Sequence, residues 1–212
     1  MKSVCVIGSG ISGSTIANLL SKKYKVDVYE KAKGIGGRSS HRRYLNKLGF
    51  DHGLQYISPK TGKFKKFCSG LQKKRVLKKW QGPHNFDHSK VLENKKHAKL
   101  IGAKGNNAIS KYLLKNINCI FGYELFKIER IRKNWKLSFL NGDVKYYEIL
   151  IISIPFAQSK KLLKKFLPNF FKNKNVKMEA NITVMTVTNK IKNNFSSFLF
   201  NDEVIGLSLI HI

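Results

Sequence analysis

The chain has 212 residues, 42% of them hydrophobic, with 14 Phe and 8 Tyr, enough to bury one substantial core or two small ones and to exclude a disordered chain. Its formal net charge of +29 raises a polyanion or an anionic membrane surface as partner, but the basic residues are overwhelmingly Lys, with arginine only at Arg38, Arg42, Arg43, Arg75, Arg130 and Arg132. Nucleic-acid surfaces favour the bidentate guanidinium, and Lys, Asn and Ile share AT-rich codons, so genome composition accounts for the charge better than a polyanion site does.

Cys5, Cys68 and Cys119 are odd in number, far apart and free of C-x-x-C spacing, which argues against a disulfide framework or a zinc site and for a reduced cytoplasm. Met1 leads straight into strand and glycine turn, leaving no room for a secretion signal, and no apolar run reaches the roughly 18 residues of a membrane span.

In chain order, Ser3 to Ile7 is an apolar run without alternation, the pattern of a parallel strand buried on both faces. From Ser12 to Lys23 the apolar residues Ile16, Ala17, Leu19 and Leu20 recur at helical spacing, and Val26 to Tyr29 reads as a second strand closing at Glu30. This is a βαβ opening. Lys31 to Arg43 is a basic, glycine-rich loop, and Phe50 to Ser58 is a candidate extended segment. Pro59 to Lys99 has weak periodicity, Pro83, lysine clusters and Trp80, and suits an inserted piece of a second domain.

A turn at Gly102 to Gly105 leads into a helix with Ile109, Tyr112, Leu113 and Leu114. Strand candidates follow at Cys119 to Phe121, Tyr123 to Ile131, Trp135 to Leu140 and Tyr146 to Ile152, with Asn141-Gly142-Asp143 as a turn signal. The run Ile149 to Ile154 is stopped by Pro155, Gln158 to Leu167 is a Lys-rich amphipathic helix, and Ile182 to Thr188 is β-branched enough for a strand.

Gly8-Ser9-Gly10-Ile11-Ser12-Gly13 fits G-x-G-x-x-G between strand and helix, with the acidic Glu30 ending the next strand about 20 residues on. Gly8 permits the tight turn, Gly10 lets the backbone approach a pyrophosphate, and Gly13 allows close packing of helix on strand. The amides that open the helix, at Ile11 and Ser12, face the phosphate charge, and Glu30, followed by Lys31, accepts from the adenosine ribose hydroxyls. A fold class follows: α/β, a Rossmann-like FAD/NAD(P)-binding domain of parallel sheet and helices, joined to an incomplete α+β substrate domain.

Both FAD and NAD carry adenosine ribose and pyrophosphate, so the fingerprint alone leaves a flavoenzyme and an NAD-binding dehydrogenase open. The next loop, Gly34-Ile35-Gly36-Gly37-Arg38-Ser39-Ser40, suits a second backbone pass against the same pyrophosphate, with Arg38 as a planar cation. A basic nucleic-acid-binding protein is the reading from another class, supported by charge alone.

These residues resemble the flavin-containing amine oxidase superfamily, and within it the renalase-like branch. The resemblance rests on Gly8 to Gly13, Glu30, Gly34 to Ser40 and Phe50-Asp51-His52-Gly53-Leu54-Gln55-Tyr56, and runs more loosely through Gly102 to Ala108, Leu125, Trp135 and Ile151 to Pro155. It implies FAD as cofactor, with Gly36, Gly37 and Arg38 along the pyrophosphate, Gly53, Gln55 and Tyr56 beside the isoalloxazine, and the Leu125 backbone near the adenine. Gly53 also has its own reason, since a residue without a side chain lets the chain run close under a flat ring. The implied activity is hydride transfer from a small amine or dihydropyridine donor to the flavin, with dioxygen or another acceptor taking the electrons.

Hydride transfer to a flavin requires no acid or base triad, in keeping with the missing G-x-S-x-G. His41, His52, His84, His88 and His97 match no metal-ligand motif and read as loop histidines. The expected organisation is a discontinuous FAD-binding domain at 1–58 and 99–165, and a partial substrate domain at 59–98 and 166–206. Leu207 to Ile212 coincides with the translation of a common transposase sequencing adaptor, so 207–212 is expected to be a non-native tail on a C-terminally truncated chain.

Overall fold

The computed structural model describes residues 1–44, 48–81, 84–86, 99–172, 174, 176–178, 182–187, 197–199 and 207–209. Of the expected substrate domain, 82–83, 87–98, 173, 175, 179–181, 188–196 and 200–206 lie outside the described residues, as do 210–212 of the expected tail and the candidate ligands His88 and His97. The elements run β1 (Ser3–Ile7), α1 (Ile11–Leu20), β2 (Lys25–Glu30), a 3-10 turn (Gly37–Ser39), β3 (His41–Tyr44), β4 (Leu48–Asp51), α2 (Gly62–Lys73), β5 (Leu77–Lys79) and β6 (His84–Phe86). They continue with β7 (Leu100–Gly102), α3 (Ala108–Leu113), β8 (Asn118–Phe121), β9 (Leu125–Ile131), β10 (Asn134–Phe139), β11 (Val144–Tyr147), β12 (Ile149–Ile152), α4 (Phe156–Leu163), α5 (Pro168–Lys172), β13 (Ser197–Leu199) and β14 (Leu207–Leu209).

The central sheet is parallel, in the order β12-β1-β2-β8. The unbroken apolar run of β1 is buried on both faces. Val4 and Val6 meet Ala17 of α1 with Val26, Val28 and Leu114 on one side, while Cys5 and Ile7 meet Tyr29, Ile128, Leu137, Phe139 and Tyr147 on the other. Each such valine or isoleucine taken from water contributes about 1.5–3 kcal/mol. That second face is covered by the antiparallel sheet β11-β10-β9.

Three expectations change. The run Tyr146 to Ile152 is two strands, because Tyr147 ends the ladder with Trp135 of β10 and Ile149 starts a parallel one with Val4 of β1. Glu148 forms the corner: its Oε2 accepts from the Ser3 amide at 2.9 Å and its own amide donates to Ser3 Oγ at 3.3 Å. Of Ile182 to Thr188, expected as a strand, the described residues 182–187 form none. Ile182 and Val184 are 90% and 80% exposed, and β-branched residues favour a strand only when a neighbouring strand or face packs on them. Of the segment Phe50 to Ser58 only Phe50 and Asp51 lie in a strand, the next pairing being Ile57 with Leu100.

The weakly periodic stretch after Pro59 holds α2, capped by Thr61 Oγ1, which accepts from the Phe64 amide. Cys68 and Leu71 of α2 pack with Leu77, Leu100, and Ile109 and Leu113 of α3.

A polar chain runs through the aromatic core. Tyr147 Oη donates to Asp27 Oδ2 at 2.8 Å, Tyr29 Oη lies 2.9 Å from Tyr147 Oη, and Asn118 Nδ2 donates to Asp27 Oδ1 at 2.7 Å. Burial, and next its bonds to Tyr29 and Asp27, pushes the Tyr147 phenol well above its ordinary value, and burial likewise raises the Tyr29 phenol and the Cys5 thiol. An acid held protonated in the folded state contributes stability that is complete below its unfolded pKa and is lost as pH rises through its folded one. Denaturant midpoints are therefore expected to fall as pH climbs past about 10, where unfolded tyrosine ionises, and less steeply in Tyr147→Phe. A flat midpoint up to about pH 11 contradicts this linkage.

Candidate cofactor site

The glycine fingerprint lies at the carboxyl end of β1, where β1 passes to α1 and β2 on one side while β12 flanks the other. This is the switch point at which open α/β sheets bind ligands. Gly8 turns the chain at φ +100° and donates to the Tyr29 carbonyl at 2.8 Å. A methyl on Gly13 would lie 2.0 Å from the Gly8 carbonyl oxygen and 2.4 Å from Ser153 Oγ, so the close packing of helix on strand leaves no room for a side chain. Ser153 locks the same turn, donating toward the carbonyls of Ile7 and Gly8.

Gly10 is different. A methyl there meets nothing nearer than 3.9 Å among the described residues, its neighbours being Gly36 O and Gly37 Cα. Gly10 is the N-cap of α1, has no side-chain cap, and α1 carries no acidic residue in its first turn. The first helical bond is from the Ser14 amide to Gly10, so the amides of Ile11, Ser12 and Gly13 are left for an anion. Ile11 and Ser12 are exposed at this end.

The second glycine loop docks on the first. The Gly36 amide donates to Ser9 O at 3.2 Å, Gly36 and Gly10 form a parallel bridge, and Gly36 takes φ +136°. Gly37 and Arg38 open the 3-10 turn, with the Arg38 side chain exposed. Arg38 lines an open pocket of about 390 Å³ with Pro155, Phe156, Val176, Lys177 and Met178, at the carboxyl end of β12. Two cations, Arg38 and Lys177, therefore face one concavity.

Glu30 is 7% exposed and already engaged. Its Oε2 accepts from the Ser9 amide at 2.9 Å and Ser9 Oγ at 2.8 Å, and its Oε1 from the Ala32 amide at 2.9 Å. With two lone pairs on each oxygen, Oε1 keeps one acceptor position for a ribose hydroxyl. Lys31 is exposed, its Nζ 4.0 Å from Glu124 Oε1. Leu125 begins β9 with its side chain in the core, and the loop before it crosses β2, the Tyr123 amide donating to Glu30 O at 3.1 Å.

The segment after β4 is positioned from two sides. A methyl on Gly53 would lie 2.1 Å from Arg38 O, and the Leu54 amide donates to that oxygen at 2.9 Å. The absence of a side chain at Gly53 is thus required by packing on the Arg38 backbone. Gln55 presents its carbonyl to Asn106, and the Tyr56 ring packs against Trp80 at 5.7 Å, with Lys99 Nζ 4.9 Å from its centroid. Tyr56 thus joins the β5 and β7 side of the molecule.

Several contributors were outside the sequence reading. Ser9, an unspecified position of the fingerprint, holds Glu30. His41 Nδ1 lies 2.9 Å from Asp51 Oδ1, and that oxygen also accepts from the Asn106 amide at 2.8 Å. Asn106 and Asn107 are buried at the start of α3. The one signal for them is the run Gly102 to Ala108, whose two asparagines are too polar to be buried without partners. Among the described residues no group of three or more His, Cys, Asp or Glu side chains is placed to hold a metal ion, and no helix is long and apolar enough to cross a membrane.

Residues 6–71 match the family model for the NAD(P)-binding Rossmann-like domain. The crystal structure of the tetracycline destructase Tet(51) superposes with a TM-score of 0.53 at 15% identity, covering 77% of this chain and 41% of that one. The fold is Rossmann-like. Its parallel sheet with flanking helices is accompanied by separate antiparallel sheets, and the fold class is the one expected from the sequence. The chain spans about two-fifths of the solved structure it resembles, and at this identity the likeness speaks for the fold alone.

Proposed function

We propose that this chain is the cofactor-binding part of a cytoplasmic FAD-dependent oxidoreductase of the renalase-like, amine-oxidase type. Its donor is a small amine or dihydropyridine, and dioxygen or another acceptor takes the electrons. The observation that carries the reading is the pair of glycine turns, Gly8 to Gly13 and Gly36 to Arg38, bonded through Ser9 and Gly36 around a gap that a methyl on Gly10 would enter. A backbone gap beside free helix amides suits a diphosphate, and the exposed arginine that follows Gly37 in the second turn supplies a planar cation for it. Glu30 Oε1 retains one acceptor for the ribose, so the residues present fit the group.

In this reading a bound flavin supplies the electron-pair acceptor, which no side chain can. The protein binds and orients. Gly8, Gly10, Ile11, Ser12, Gly13, Gly36, Gly37 and Arg38 form the diphosphate site, Glu30 with Lys31 the ribose end, and Gly53, Gln55 and Tyr56 the flavin end. The Leu125 backbone borders the adenine. Residues 59–98 and 166–206 belong to the substrate domain, where Lys177 and Met178 face Arg38 across the pocket. Cys5, Cys68 and Cys119 are free thiols, in keeping with a reducing compartment.

A second reading, an NAD-binding dehydrogenase of the same fold, is favoured by the NAD(P)-binding description of the family model over 6–71. The visible spectrum of the purified chain after incubation with FAD separates the two. Retained flavin bands are expected, and Arg38→Ala should weaken retention about ten- to a hundredfold, the equivalent of one lost charge-assisted bond of about 1.5–3 kcal/mol, with little change in melting temperature because its side chain is exposed. A colourless protein that binds NAD instead overturns the proposal.

A further inference from the structure

Two adjacent asparagines reach in opposite directions from the start of α3. Asn106 is fully buried and both polar atoms of its amide are bonded: Nδ2 donates to Leu54 O at 2.6 Å and Gln55 O at 3.0 Å, and Oδ1 accepts from the Gly102 amide at 2.8 Å. Its backbone amide meets Asp51 Oδ1, which His41 also holds. Every bond of Asn106 outside its own turn therefore goes to the segment 51–55.

Asn107 turns the other way. Its Nδ2 donates to Ile35 O at 3.1 Å, and its Cβ lies 2.9 Å from where a Gly36 methyl would sit. Ile35 immediately precedes Gly36, whose φ of +136° shapes the second glycine turn. The Asn107 Oδ1 is buried and has no partner among the described residues. A buried amide oxygen without a bond costs about 1–3 kcal/mol, so packing alone gives no reason to keep an asparagine here. Its one side-chain bond, to the glycine loop, does.

We propose that Asn106 and Asn107 form a single bracket that sets the spacing between the diphosphate loop (35–38) and the flavin-side segment (51–56), making both of them positioning residues for the cofactor. The proposal rests on the FAD reading above. The bracket divides by function: Asn107 sets the turn that meets the diphosphate, which ADP and FAD share, while Asn106 sets the segment that only the flavin half reaches. The two bonds from the Asn106 amide immobilise Leu54 and Gln55 relative to α3, and the Leu54 amide meets only the backbone carbonyl of Arg38, leaving the exposed Arg38 side chain and the turn at Gly36 to the Asn107 side. A shift at either asparagine is thus passed to a different half of the ligand.

The isosteric variants Asn106→Asp and Asn107→Asp test this, since each keeps the shape but places an oxygen where an N–H met a carbonyl. Dissociation constants for FAD, by flavin fluorescence quenching, and for ADP, by calorimetry, are read beside the melting temperature of each ligand-free variant. Asn107→Asp is expected to weaken both ligands about tenfold, and Asn106→Asp to weaken FAD about tenfold while leaving ADP within about twofold. Should the aspartates fail to fold, Asn106→Ala and Asn107→Ala remove the same bonds without opposing oxygens, and the same split is expected. Equal losses of FAD and ADP in both positions, or no loss in either, overturn the bracket while leaving the flavin reading standing. A wild-type chain that takes ADP but no FAD overturns the flavin reading and the Asn106 half of the bracket with it.

Discussion

Alanine at Gly13 is expected to lower the stability of the chain by about 3 kcal/mol or more, the upper range for forcing extra volume into a packed site. The added methyl would sit 2.0 Å from the Gly8 carbonyl oxygen and 2.4 Å from Ser153 Oγ, well inside van der Waals contact. Neither neighbour can step aside. The Gly8 turn is held by its bond to Tyr29, and the Ser153 hydroxyl is committed to the carbonyls of Ile7 and Gly8. Helix α1 has to lift off β1, uncovering Val4, Val6 and Ala17 on the face they share. A domain with a total stability of about 5–15 kcal/mol loses a large fraction of it in this way. Denaturant titration of Gly13→Ala checks this: an unfolding free energy matching the parent's within about 0.5 kcal/mol means that the helix does not need this close approach.

Alanine at Gly10 is expected to do the reverse, sparing the fold and harming the ligand. The residue has φ −67° and ψ 179°, which alanine adopts without strain, and the nearest described atom to a methyl is 3.9 Å away. Alanine is a poorer N-cap than glycine, at a cost of about 1 kcal/mol, but it also restricts the unfolded chain by about 0.4–1 kcal/mol, so net stability should move by less than about 1 kcal/mol. The methyl nonetheless occupies the gap between the two glycine turns. If the diphosphate rests there, overpacking of about 1–3 kcal/mol falls on the complex alone, a loss of about five- to 150-fold in dinucleotide affinity. Calorimetric titration with ADP and FAD beside a thermal melt reads both quantities. A Gly10→Ala protein that binds as tightly as the parent shows that the ligand, if any, lies elsewhere, and the proposed cofactor site falls with it.

The contrast between Gly10 and Gly13 separates what the sequence by itself determined from what tertiary structure decided. The run Ser3 to Ile7, the spacing of Gly8, Gly10 and Gly13, and Glu30 closing β2 all express short-range rules of strand period, helix period and turn chemistry. They are readable because each rule acts within about 30 residues. The parallel sheet and the proposed site on its carboxyl edge follow from them. The bond from Ser9 to Glu30 spans no farther, yet it was hidden because a serine at an unspecified position carries no periodic signal.

Long-range partners decided the rest. Glu148 meeting Ser3, 145 residues away, divides one apolar run into strands of two different sheets. The β-branched residues 182–187 have the composition of a strand but gain none of its packing, since propensity is expressed only against a neighbour. Gly53 is explained by the backbone of Arg38, and Asn106 and Asn107 by carbonyls 51 to 72 residues away, contacts that no local pattern encodes. Local propensity chose the first strand, helix and strand of the chain, and the need to satisfy buried polar groups chose what was brought against them.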